Sequence, residues 1–299
     1  MGNEGTAKRV LILGATGMLG HVVFSQLAAA AGLEVFGTVR DRIEAARWFS
    51  PELLDRCLDR VEVFNFDSLV QALAAARPQV VINCIGIVKQ ASLAKDPCTS
   101  IYVNALLPHR LALACRLAGA RLIHLSTDCV FDGSRGNYRE DDPASAQDLY
   151  GRSKALGEVT SEGCLTIRTS IIGHELRGKL GLIEWFLAQE KGVRGFTRVI
   201  FSGFPTVSLA KIMREHLLGP ELTGLYHVAA APIAKYDLLK LVDQQYGKGI
   251  EITADETLKL DRSLDSTRFR RITGDAPPAW PELVAEMQRH YLGSGFYHK

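Results

Sequence analysis

Residues 9–20 read Arg-Val-Leu-Ile-Leu-Gly-Ala-Thr-Gly-Met-Leu-Gly, an apolar run followed by three glycines at three-residue intervals. The run Arg9–Leu13 suits a strand that is buried on both faces of a parallel sheet. The glycines at 14, 17 and 20 let the backbone turn tightly and approach a ligand, and a helix beginning behind them offers free N–H groups to a phosphate. A strand, this turn and a helix in that order predict a dinucleotide-binding site.

The rest of the chain continues this alternation of apolar strand-like runs and helical patterns. Strands are predicted at Arg9–Leu13, Leu33–Val39, Val61–Val63, Val80–Ile85, Arg121–Ser126 and Leu165–Ile172. The helical patterns between them predict an α/β fold of Rossmann type, with a doubly wound parallel sheet. We expect residues 1–172 to form the dinucleotide-binding domain. Residues 173–299 should mainly form a smaller α/β substrate lobe, from which the chain crosses back to the sheet.

Composition and charge exclude several classes of function. The 299 residues carry a formal net charge of +2, and 47% of them are hydrophobic, which is ordinary for a globular protein. Lys and Arg are scattered rather than interleaved with aromatics, so we expect no nucleic-acid binding. No window reaches the ~18 apolar residues of a membrane-spanning helix. The six cysteines include no CxxC pair, and no His lies near them at zinc spacing. We therefore expect reduced thiols, no bound metal and a cytoplasmic protein.

Arg40 stands at the end of the second predicted strand, where NAD-preferring folds place an acid against the ribose 2′-hydroxyl. A guanidinium suits a 2′-phosphate instead, so NADP(H) is the expected cofactor and residues 1–172 the NADP-binding domain. Two alternatives stay open. Arg40 could be a solvated surface residue, and Asp41 could accept a hydrogen bond from a ribose hydroxyl.

Further cofactor contacts are expected where the other strands end, because open α/β sheets bind ligands at the carboxyl edge. Glu62 and Val63, at the end of the third predicted strand, are the expected adenine contacts. Asp67 is the rival if that strand ends elsewhere. Cys84–Gly86, at the end of the fourth strand, should line the ribose and the nicotinamide.

The segment Tyr150-Gly-Arg-Ser-Lys154 lies 22 residues after Ser126-Thr-Asp128 and predicts the chemistry. On a helix, residues four apart share a face, so the Lys154 ammonium can sit beside the Tyr150 phenol. That cation, with the positive ring of an oxidised nicotinamide, lowers the phenol pKa and tunes Tyr150 as a general acid. Thr127 can donate a hydrogen bond to a carbonyl oxygen as charge develops on it. Thr127, Tyr150 and Lys154 are the predicted catalytic residues.

These segments in this order resemble the extended branch of the short-chain dehydrogenase/reductase superfamily. Over nearly its whole length the chain is similar to the nucleotide-sugar reductases typified by dTDP-4-dehydrorhamnose reductase. The segments that carry the similarity are Asn83–Gly86, Ser126–Gly133, Arg168–Ser170, Ser202–Thr206 and Asp261–Phe269. The resemblance implies reduction of a 4-keto-6-deoxyhexose, including 2-acetamido sugars, on a UDP or dTDP-like carrier. Such sugars are precursors of surface polysaccharides.

The resemblance also implies site residues. Asn104 matches a position that orients such a site through backbone and water, although a helix-surface or capping residue would fit there as well. The expected cofactor-binding set is Gly14, Thr16, Gly17, Met18, Leu19, Gly20, Arg40, Glu62, Val63, Cys84, Ile85, Gly86, Asn104, Ser126, Tyr150, Lys154 and Ile171. The expected substrate-binding set is Val88, Lys89, Thr127, Asp128, Cys129, Tyr150, His174, Glu175, Thr206 and Arg262.

Two positions depart from related enzymes. Cys129 stands where the nucleotide-sugar dehydratases carry the Glu that acts as the base for water elimination. A thiol of ordinary pKa ~8.5 does not replace that carboxylate, so dehydration is disfavoured. Ile171 stands where the rhamnose enzymes place an aromatic residue on the sugar, which leaves the sugar open. Lys89 could pair with an N-acetyl or phosphate oxygen, or be solvated.

Two other classes of function compete with a reductase. A non-catalytic NADP-binding regulatory subunit would keep the glycine turn, but such chains often lose the Tyr or the Lys, and both are present here. A nucleotide-sugar 4-epimerase would use the same Tyr and Lys and retain bound NAD. The sequence leaves the oligomeric state open, with a homodimer as one option.

Overall fold

The computed structural model describes residues 7–88 and 95–297. Its strands are β1 (Lys8–Leu13), β2 (Leu33–Thr38), β3 (Cys57–Leu58), β4 (Val80–Asn83), β5 (Arg121–Thr127), β6 (Cys164–Thr169), β7 (Ile171–Ile172), β8 (Val193–Phe196), β9 (Val199–Phe201), β10 (Phe204–Pro205), β11 (Gly224–His227), β12 (Ile233–Ala234), β13 (Ile252–Asp255) and β14 (Leu260–Asp261). Its α-helices are α1 (Gly20–Ala28), α2 (Arg42–Ala45), α3 (Pro51–Leu54), α4 (Phe66–Ala76), α5 (Pro97–Ser100), α6 (Leu107–Leu117), α7 (Leu149–Leu156), α8 (Leu182–Leu187), α9 (Thr206–Ile212), α10 (Lys235–Tyr246), α11 (Thr267–Thr273) and α12 (Trp280–Gly293). A π-helical turn at Ile101–Leu106 precedes α6, and a 3₁₀ turn at Asp128–Val130 follows β5.

Within the described residues, seven strands form one parallel sheet in the order β11-β6-β5-β4-β1-β2-β3. β1 lies between β2 and β4, with Val10 level with Val35 on one side and with Val80 on the other. The strand order reverses at β1, so the loops after β1 and β4 diverge and leave a crevice at the carboxyl edge. The predicted Rossmann-type α/β fold is confirmed, and the glycine turn after β1 lies at this crevice.

Alternate residues of β1 pack on opposite faces of the sheet, as successive side chains of a strand must. Val10 and Ile12 belong to a core that includes Phe24 of α1, whereas Leu11 and Leu13 belong to a second core. Leucines of α4 and α6 complete the second core: Leu69, Leu73, Leu107 and Leu111. Helices therefore cover both faces, and the sheet that carries the glycine turn is held from both sides.

The third strand is not where the sequence pattern placed it. The prediction was Val61–Val63, but the structure pairs Cys57–Leu58 with Gly37–Thr38 of β2. β2 ends at Thr38, so the ladder is complete before residue 61, and Val61 makes one further bond, from its N–H to the Val39 carbonyl. The apolar alternation at 61–63 thus belongs to the connection that follows the strand at the carboxyl edge.

The sixth predicted strand, Leu165–Ile172, is two strands in the structure. β6 ends at Thr169, and after Ser170 the chain leaves the main sheet to form β7, which pairs with β10. The Ser170 carbonyl accepts a hydrogen bond from the Phe204 N–H, which fixes this departure. A continuous β-branched run carries no signal for such a change of sheet, because the local backbone stays extended.

The chain beyond residue 172 contributes to the main sheet as well as to smaller ones. β11 pairs with β6 at the sheet edge, and small sheets in the order β12-β9-β14 and β13-β8 lie outside it. One hydrophobic core holds both Val10 and Phe296, so the two parts of the chain pack together. The boundary at residue 172 stays a prediction. In the part of the chain that the structure describes, no helix is long and apolar enough to span a bilayer.

Candidate active site

The glycine turn joins β1 to α1 as a tight backbone loop. Gly14 has a φ of 79°, in the left-handed region that favours glycine, and its carbonyl accepts a hydrogen bond from the Gly17 N–H at 3.0 Å. A Cβ added at Gly20 would clash with that same Gly14 carbonyl oxygen. The Thr38 hydroxyl, at the end of β2, accepts from the Gly14 N–H at 3.0 Å. Only a chain without side chains at 14 and 20 can close this turn against the first turn of α1.

The remaining residues of the turn divide into surface and core positions. Gly17 is exposed, and Thr16 and Met18 are half-buried, so their backbone lies at the crevice. Leu19 is 6% exposed and its side chain packs into the core. Leu19 can therefore offer a ligand its backbone but not its side chain.

Arg40 and Asp41 have different surroundings. Arg40 is exposed and lies two residues after the end of β2, at the carboxyl edge of the sheet. The Asp41 carboxylate caps α2, since its Oδ1 accepts from the Ile43 N–H at 2.8 Å and the Glu44 N–H at 3.1 Å. That role engages one of the two carboxylate oxygens and fixes the direction of the side chain. Between the alternatives at this strand end, the geometry favours Arg40 as the group that meets a ligand.

The expected adenine contacts lie beyond β3. Glu62 is exposed and Val63 is half-buried, while the backbone of Glu62 is fixed by the Ser68 hydroxyl, which accepts from its N–H at 3.0 Å and donates to its carbonyl at 3.1 Å. The rival, Asp67, is exposed in the first turn of α4. Both lie at the carboxyl edge, so the choice between them stays open.

The segment after β4 is held close to the helix that carries Lys154. The Asn104 side chain accepts from the Ile87 N–H at 2.9 Å and donates to the Ile87 carbonyl at 3.2 Å and to the Ser153 hydroxyl at 3.4 Å. A Cβ added at Gly86 would lie 3.6 Å from the Asn104 Oδ1 and 3.9 Å from the Lys154 Nζ. Asn104 is 1% exposed and lies on the π-helical turn, a distortion that is frequent at functional sites. It therefore ties the loop after β4 to α7.

Cys84 and Ile85 complete this wall of the crevice. The Asn83 side chain accepts from the Ile85 N–H at 3.1 Å, which orients the first turn after β4. Burial raises the pKa of the Cys84 thiol to about 12. Cys84 is thus a neutral thiol at physiological pH, and it offers packing rather than charge.

Tyr150 and Lys154 lie on α7, whose N-terminus is capped by Asp148. The Lys154 ammonium is buried and donates to the Leu125 carbonyl of β5 at 2.6 Å. Burial lowers the pKa of Lys154 to about 8, and the charge of Glu158 opposes that shift. Burial raises the pKa of Tyr150, with Cys129 adding to the rise and a hydrogen bond with Thr127 opposing it. The structure therefore joins Thr127 to Tyr150 and places Lys154 on the same helix, but burial raises the phenol pKa, and the Lys154 charge does not lower it as the sequence led us to expect.

Thr127 links the Tyr150 phenol to the Asp128 carboxylate and to the backbone of Cys129. Its hydroxyl donates to the Asp128 Oδ1 at 3.0 Å and accepts from the Cys129 N–H at 3.1 Å. Burial raises the pKa of Asp128, while the Thr127 bond and the charge of Arg262 lower it. The Arg262 guanidinium donates to the Phe131 carbonyl at 2.7 Å and lies 3.9 Å from the Cys129 sulfur. Arg262 thus reaches the site from 133 residues further along the chain.

Two charged residues at the site were missed by the sequence analysis. Lys235, at the start of α10, lowers the pKa of Asp128 by its charge, although nothing in its local sequence indicates a site. Glu158 accepts from the Ser126 hydroxyl at 2.7 Å and pairs with Arg168 through two contacts of 2.7 Å. Glu158 lies two residues beyond the end of α7, so helical spacing from Lys154 gives no signal for it.

Ser126 was expected to bind the cofactor, but its hydroxyl is directed into the protein toward Glu158. Ser126 is 6% exposed and Arg168 is 4% exposed, so this cluster lies behind the crevice. The reason is strand alternation: Thr127 and Ser126 are successive residues of β5, and their side chains point to opposite faces. Through its side chain, Ser126 supports the catalytic strand.

Ile171 was expected to contact the cofactor and His174 the sugar, but in the structure both contact other parts of the protein. Ile171 pairs with Phe204 in β7 and packs against the main core. His174 is 2% exposed, with Nδ1 at 2.5 Å from the Glu184 carboxylate and Nε2 at 2.8 Å from the Tyr246 hydroxyl. Both ring nitrogens are engaged within the protein, so His174 supports the lobe in this structure and has no free group for a sugar.

The remaining residues expected to contact the sugar lie in different parts of the structure. Glu175 accepts from the Leu180 and Gly181 N–H groups at 2.9 and 3.1 Å, and a Cβ at Gly181 would lie 2.6 Å from the Met18 side chain. Its loop therefore packs on the glycine turn. Thr206 is 3% exposed at the start of α9, against Gly173. Val88 is exposed, and Lys89 lies outside the described residues.

The described residues include no group of three or more His, Cys, Asp or Glu side chains placed to hold a metal ion. None of the six cysteines, all of which the structure describes, forms a disulfide bond. The polar groups of the crevice include the backbone N–H groups of the turn, the Thr127 and Tyr150 hydroxyls, the Asp128 carboxyl, and the Lys154, Arg40, Arg262 and Lys235 cations.

Comparison with known proteins identifies the family. The model of the RmlD substrate binding domain matches residues 8–292. The dTDP-4-dehydrorhamnose reductase of Burkholderia thailandensis is 30% identical over 239 residues, which cover 75% of this chain and 73% of that protein. The methionine adenosyltransferase 2 subunit beta of Xenopus tropicalis is 29% identical over 253 residues, which cover 77% and 70% of the two chains.

Solved structures share the fold. The crystal structure of dTDP-4-dehydrorhamnose reductase from Bacillus anthracis, in complex with NADP, has a TM-score of 0.77 at 22% identity, covering 96% of this chain and 99% of that one. At this identity the likeness shows the fold alone. The match of the family model over residues 8–292 shows more: the chain belongs to the RmlD substrate binding domain family.

Proposed function

We propose that this protein reduces the C4 ketone of a nucleotide-linked 4-keto-6-deoxyhexose with NADPH, as a reductase of the dTDP-4-dehydrorhamnose type in the synthesis of surface polysaccharide precursors. The observation that carries the proposal is the hydrogen bond between Thr127 and Tyr150, with Lys154 on the same helix as Tyr150 and next to Gly86 in the loop after β4. A relative that is 30% identical over 75% of this chain is named dTDP-4-dehydrorhamnose reductase, which agrees with it.

The residues of the crevice fit NADP(H). The turn at Gly14–Gly20 admits a diphosphate against its backbone because it carries no Cβ at its closest points. Arg40 is exposed at the end of β2 while Asp41 is engaged as a helix cap, a combination that suits a 2′-phosphate. The solved Bacillus anthracis relative binds NADP. Bound there, NADPH would supply the hydride for the reduction.

The chain's own residues would handle the charge that the reduction creates. Negative charge develops on the C4 oxygen, and the Thr127 hydroxyl stabilises it while the Tyr150 phenol donates its proton. The phenol is a donor at neutral pH because burial keeps its pKa high. Lys154, with a pKa of about 8, is largely cationic near neutrality and stabilises the phenolate that proton transfer leaves. Each of these roles stays a proposal for the residue named.

The same residues disfavour making the ketone by dehydration. A dehydratase needs a carboxylate base at C5, and Cys129 stands in that place, near Tyr150 and the Arg262 guanidinium. A thiol is a poor substitute for that base. We therefore propose that the ketosugar is the substrate and not a product of this protein.

A regulatory subunit without catalysis is the second candidate, because a methionine adenosyltransferase 2 subunit beta is 29% identical over 77% of this chain. The hydrogen-bonded Thr127 and Tyr150, with Lys154 beside the loop after β4, favour catalysis. A 4-epimerase would instead be purified with bound NAD.

The deciding experiment is NADPH oxidation with preformed 4-keto-6-deoxyhexoses linked to UDP or dTDP, with and without a 2-acetamido group, followed by NMR of the product. We expect one equivalent of NADPH to be consumed per 6-deoxyhexose formed. Absence of turnover with every sugar, while NADPH still binds, would favour the regulatory subunit. A ketosugar formed from dTDP-glucose or UDP-GlcNAc with catalytic NAD would show a dehydratase and refute the proposal.

A further inference from the structure

The C-terminal residues Phe296 and Tyr297 lie beyond the range matched by the family model, which ends at residue 292, and they contact α1 behind the glycine turn. The Tyr297 hydroxyl is 2.5 Å from Nε2 of His21, and Nδ1 of His21 is 2.8 Å from the Gly17 carbonyl oxygen. His21 is fully buried, and the Phe296 ring meets it edge-on at 5.4 Å. The His21 imidazole thus joins Tyr297 to Gly17 of the glycine turn.

The direction of both hydrogen bonds follows from elementary chemistry. A carbonyl oxygen can only accept, so Nδ1 of His21 carries the hydrogen that binds Gly17. Burial lowers the pKa of His21 to about 4, so the ring is neutral near pH 7 and Nε2 has a lone pair. Burial raises the pKa of Tyr297, which keeps its hydroxyl protonated. Tyr297 therefore donates to His21, and His21 donates to Gly17.

This relay acts on the part of the turn that faces the crevice. The Gly17 carbonyl accepts from both the backbone N–H of His21 at 3.1 Å and its ring, so its direction is fixed twice. In a trans peptide the C=O and the following N–H point in opposite directions. Holding the Gly17 carbonyl toward His21 therefore turns the Met18 N–H away from the helix, toward the side where a diphosphate would lie.

We propose that Tyr297 is a positioning residue of the cofactor site, which acts through His21 to fix the peptide between Gly17 and Met18 for a diphosphate. The inference rests on the proposed function, because it takes the turn to bind NADP(H). It adds that Tyr297 supports the cofactor site, although it touches no cofactor atom itself.

Neighbouring rings hold Tyr297 in place and supply a control. Tyr297 stacks on Tyr291 at 5.2 Å, and Tyr291 stacks on His174 at 4.0 Å. Tyr246 belongs to the same aromatic cluster, and its hydroxyl is 2.8 Å from Nε2 of His174. Tyr246 and Tyr297 therefore each bond a buried imidazole through a phenol oxygen, but only the imidazole bonded to Tyr297 contacts the glycine turn.

The test compares Tyr297→Phe with Tyr246→Phe in the full chain. Each variant removes one oxygen and keeps its ring, so both should fold, and thermal unfolding verifies that. We expect Tyr297→Phe to raise the Kd for NADPH about three- to tenfold, the range of one lost hydrogen bond. The KM for the sugar and kcat at saturating NADPH should stay within about twofold. Tyr246→Phe should leave the Kd for NADPH unchanged.

Three results would overturn the inference. The Kd for NADPH could be the same in Tyr297→Phe and the wild type, or it could rise equally in both variants, which would indicate loss of packing rather than of the relay. A fall in kcat at saturating NADPH with an unchanged Kd would also contradict it. These outcomes leave the proposed function intact. A wild-type protein that binds no NADPH would instead refute the proposed function, and the inference with it.

Discussion

The two ends of the crevice are built from different parts of the polypeptide. The cofactor end is made of main chain from one short stretch, Gly14–Gly20, and its geometry depends on side chains being absent. The chemical end is made of side chains from distant segments, such as Thr127, Tyr150 and Arg262. At the cofactor end, added side-chain volume should weaken cofactor binding, whereas removal of most existing side chains should have little effect on it. The chemical end should depend on single atoms of particular side chains.

The largest effect is expected at the chemical end, from Tyr150→Phe. Removing the phenol oxygen removes the proton donor, and general acid catalysis is worth ~10²–10⁴-fold, so kcat should fall by that factor. The Kd for NADPH should stay within about twofold of wild type, because the ring is kept. Steady-state rates and NADPH titration measure the two quantities. A variant that keeps more than about a third of wild-type kcat would remove Tyr150 from this role.

The corresponding change at the cofactor end is Gly20→Ala. The added methyl meets the Gly14 carbonyl, and overpacking of that kind costs ~1–3 kcal/mol, so the Kd for NADPH should rise roughly 5- to 150-fold. Gly293→Ala is the matched control, because a Cβ there meets no atom within 4 Å. If Gly20→Ala binds NADPH as tightly as Gly293→Ala, the main chain of this turn does not form the cofactor site.

Arg40→Ala tests the cofactor contact that we assign to the Arg40 guanidinium. A charge-assisted bond to phosphate is worth ~1.5–3 kcal/mol, so the preference for NADPH over NADH should fall by about 10- to 100-fold. The ratio of kcat/KM values for the two cofactors measures it. The assignment is wrong if the wild type uses both cofactors equally, or if the ratio is the same in the variant.

The contrast between the two ends also explains what the sequence could predict. The order of strands and the glycine turn were predictable because they depend on local patterns: buried apolar runs, and glycines between a strand and a helix. The pairing of Tyr150 with Lys154 was also predictable from a local pattern, because the two residues are four apart on one helix. Contacts between distant segments were not, and Lys235 and the bond between Ser126 and Glu158 appear only in the folded chain.

Two expectations of the sequence analysis were limited by the same physical cause. The third strand was misplaced because Val61–Val63 alternates like a strand, while the pairing is decided by where β2 ends. His174 was placed at the sugar because it is polar and follows β7, whereas the fold supplies Glu184 and Tyr246 to both of its nitrogens. In each case a partner that is remote in sequence overrides the local pattern.

The smallest effect concerns Glu158, which affects the chemical end through charge rather than contact with a ligand. Lys154 must be protonated to stabilise a phenolate, and its pKa is about 8, so the rate should fall as the pH rises through that value. The buried His124 also faces Lys154, but its pKa is lowered by burial and it stays neutral in this range. Glu158 is then the carboxylate whose charge keeps Lys154 protonated.

Glu158→Gln should therefore move the alkaline fall of the rate to lower pH, because the charge that raises the pKa of Lys154 is lost. We expect the ratio of the rate at pH 8 to that at pH 6.5 to fall roughly two- to fivefold below the wild-type ratio. The partner Arg168 stays buried without its carboxylate, so unfolding is measured separately, and a ratio of rates cancels a loss of folded protein. Asp141→Asn removes an exposed carboxylate that is paired with Arg268, and it should leave the pH profile unchanged. An identical profile in Glu158→Gln and the wild type would show that the cluster behind the crevice holds the strand but does not set the charge of Lys154.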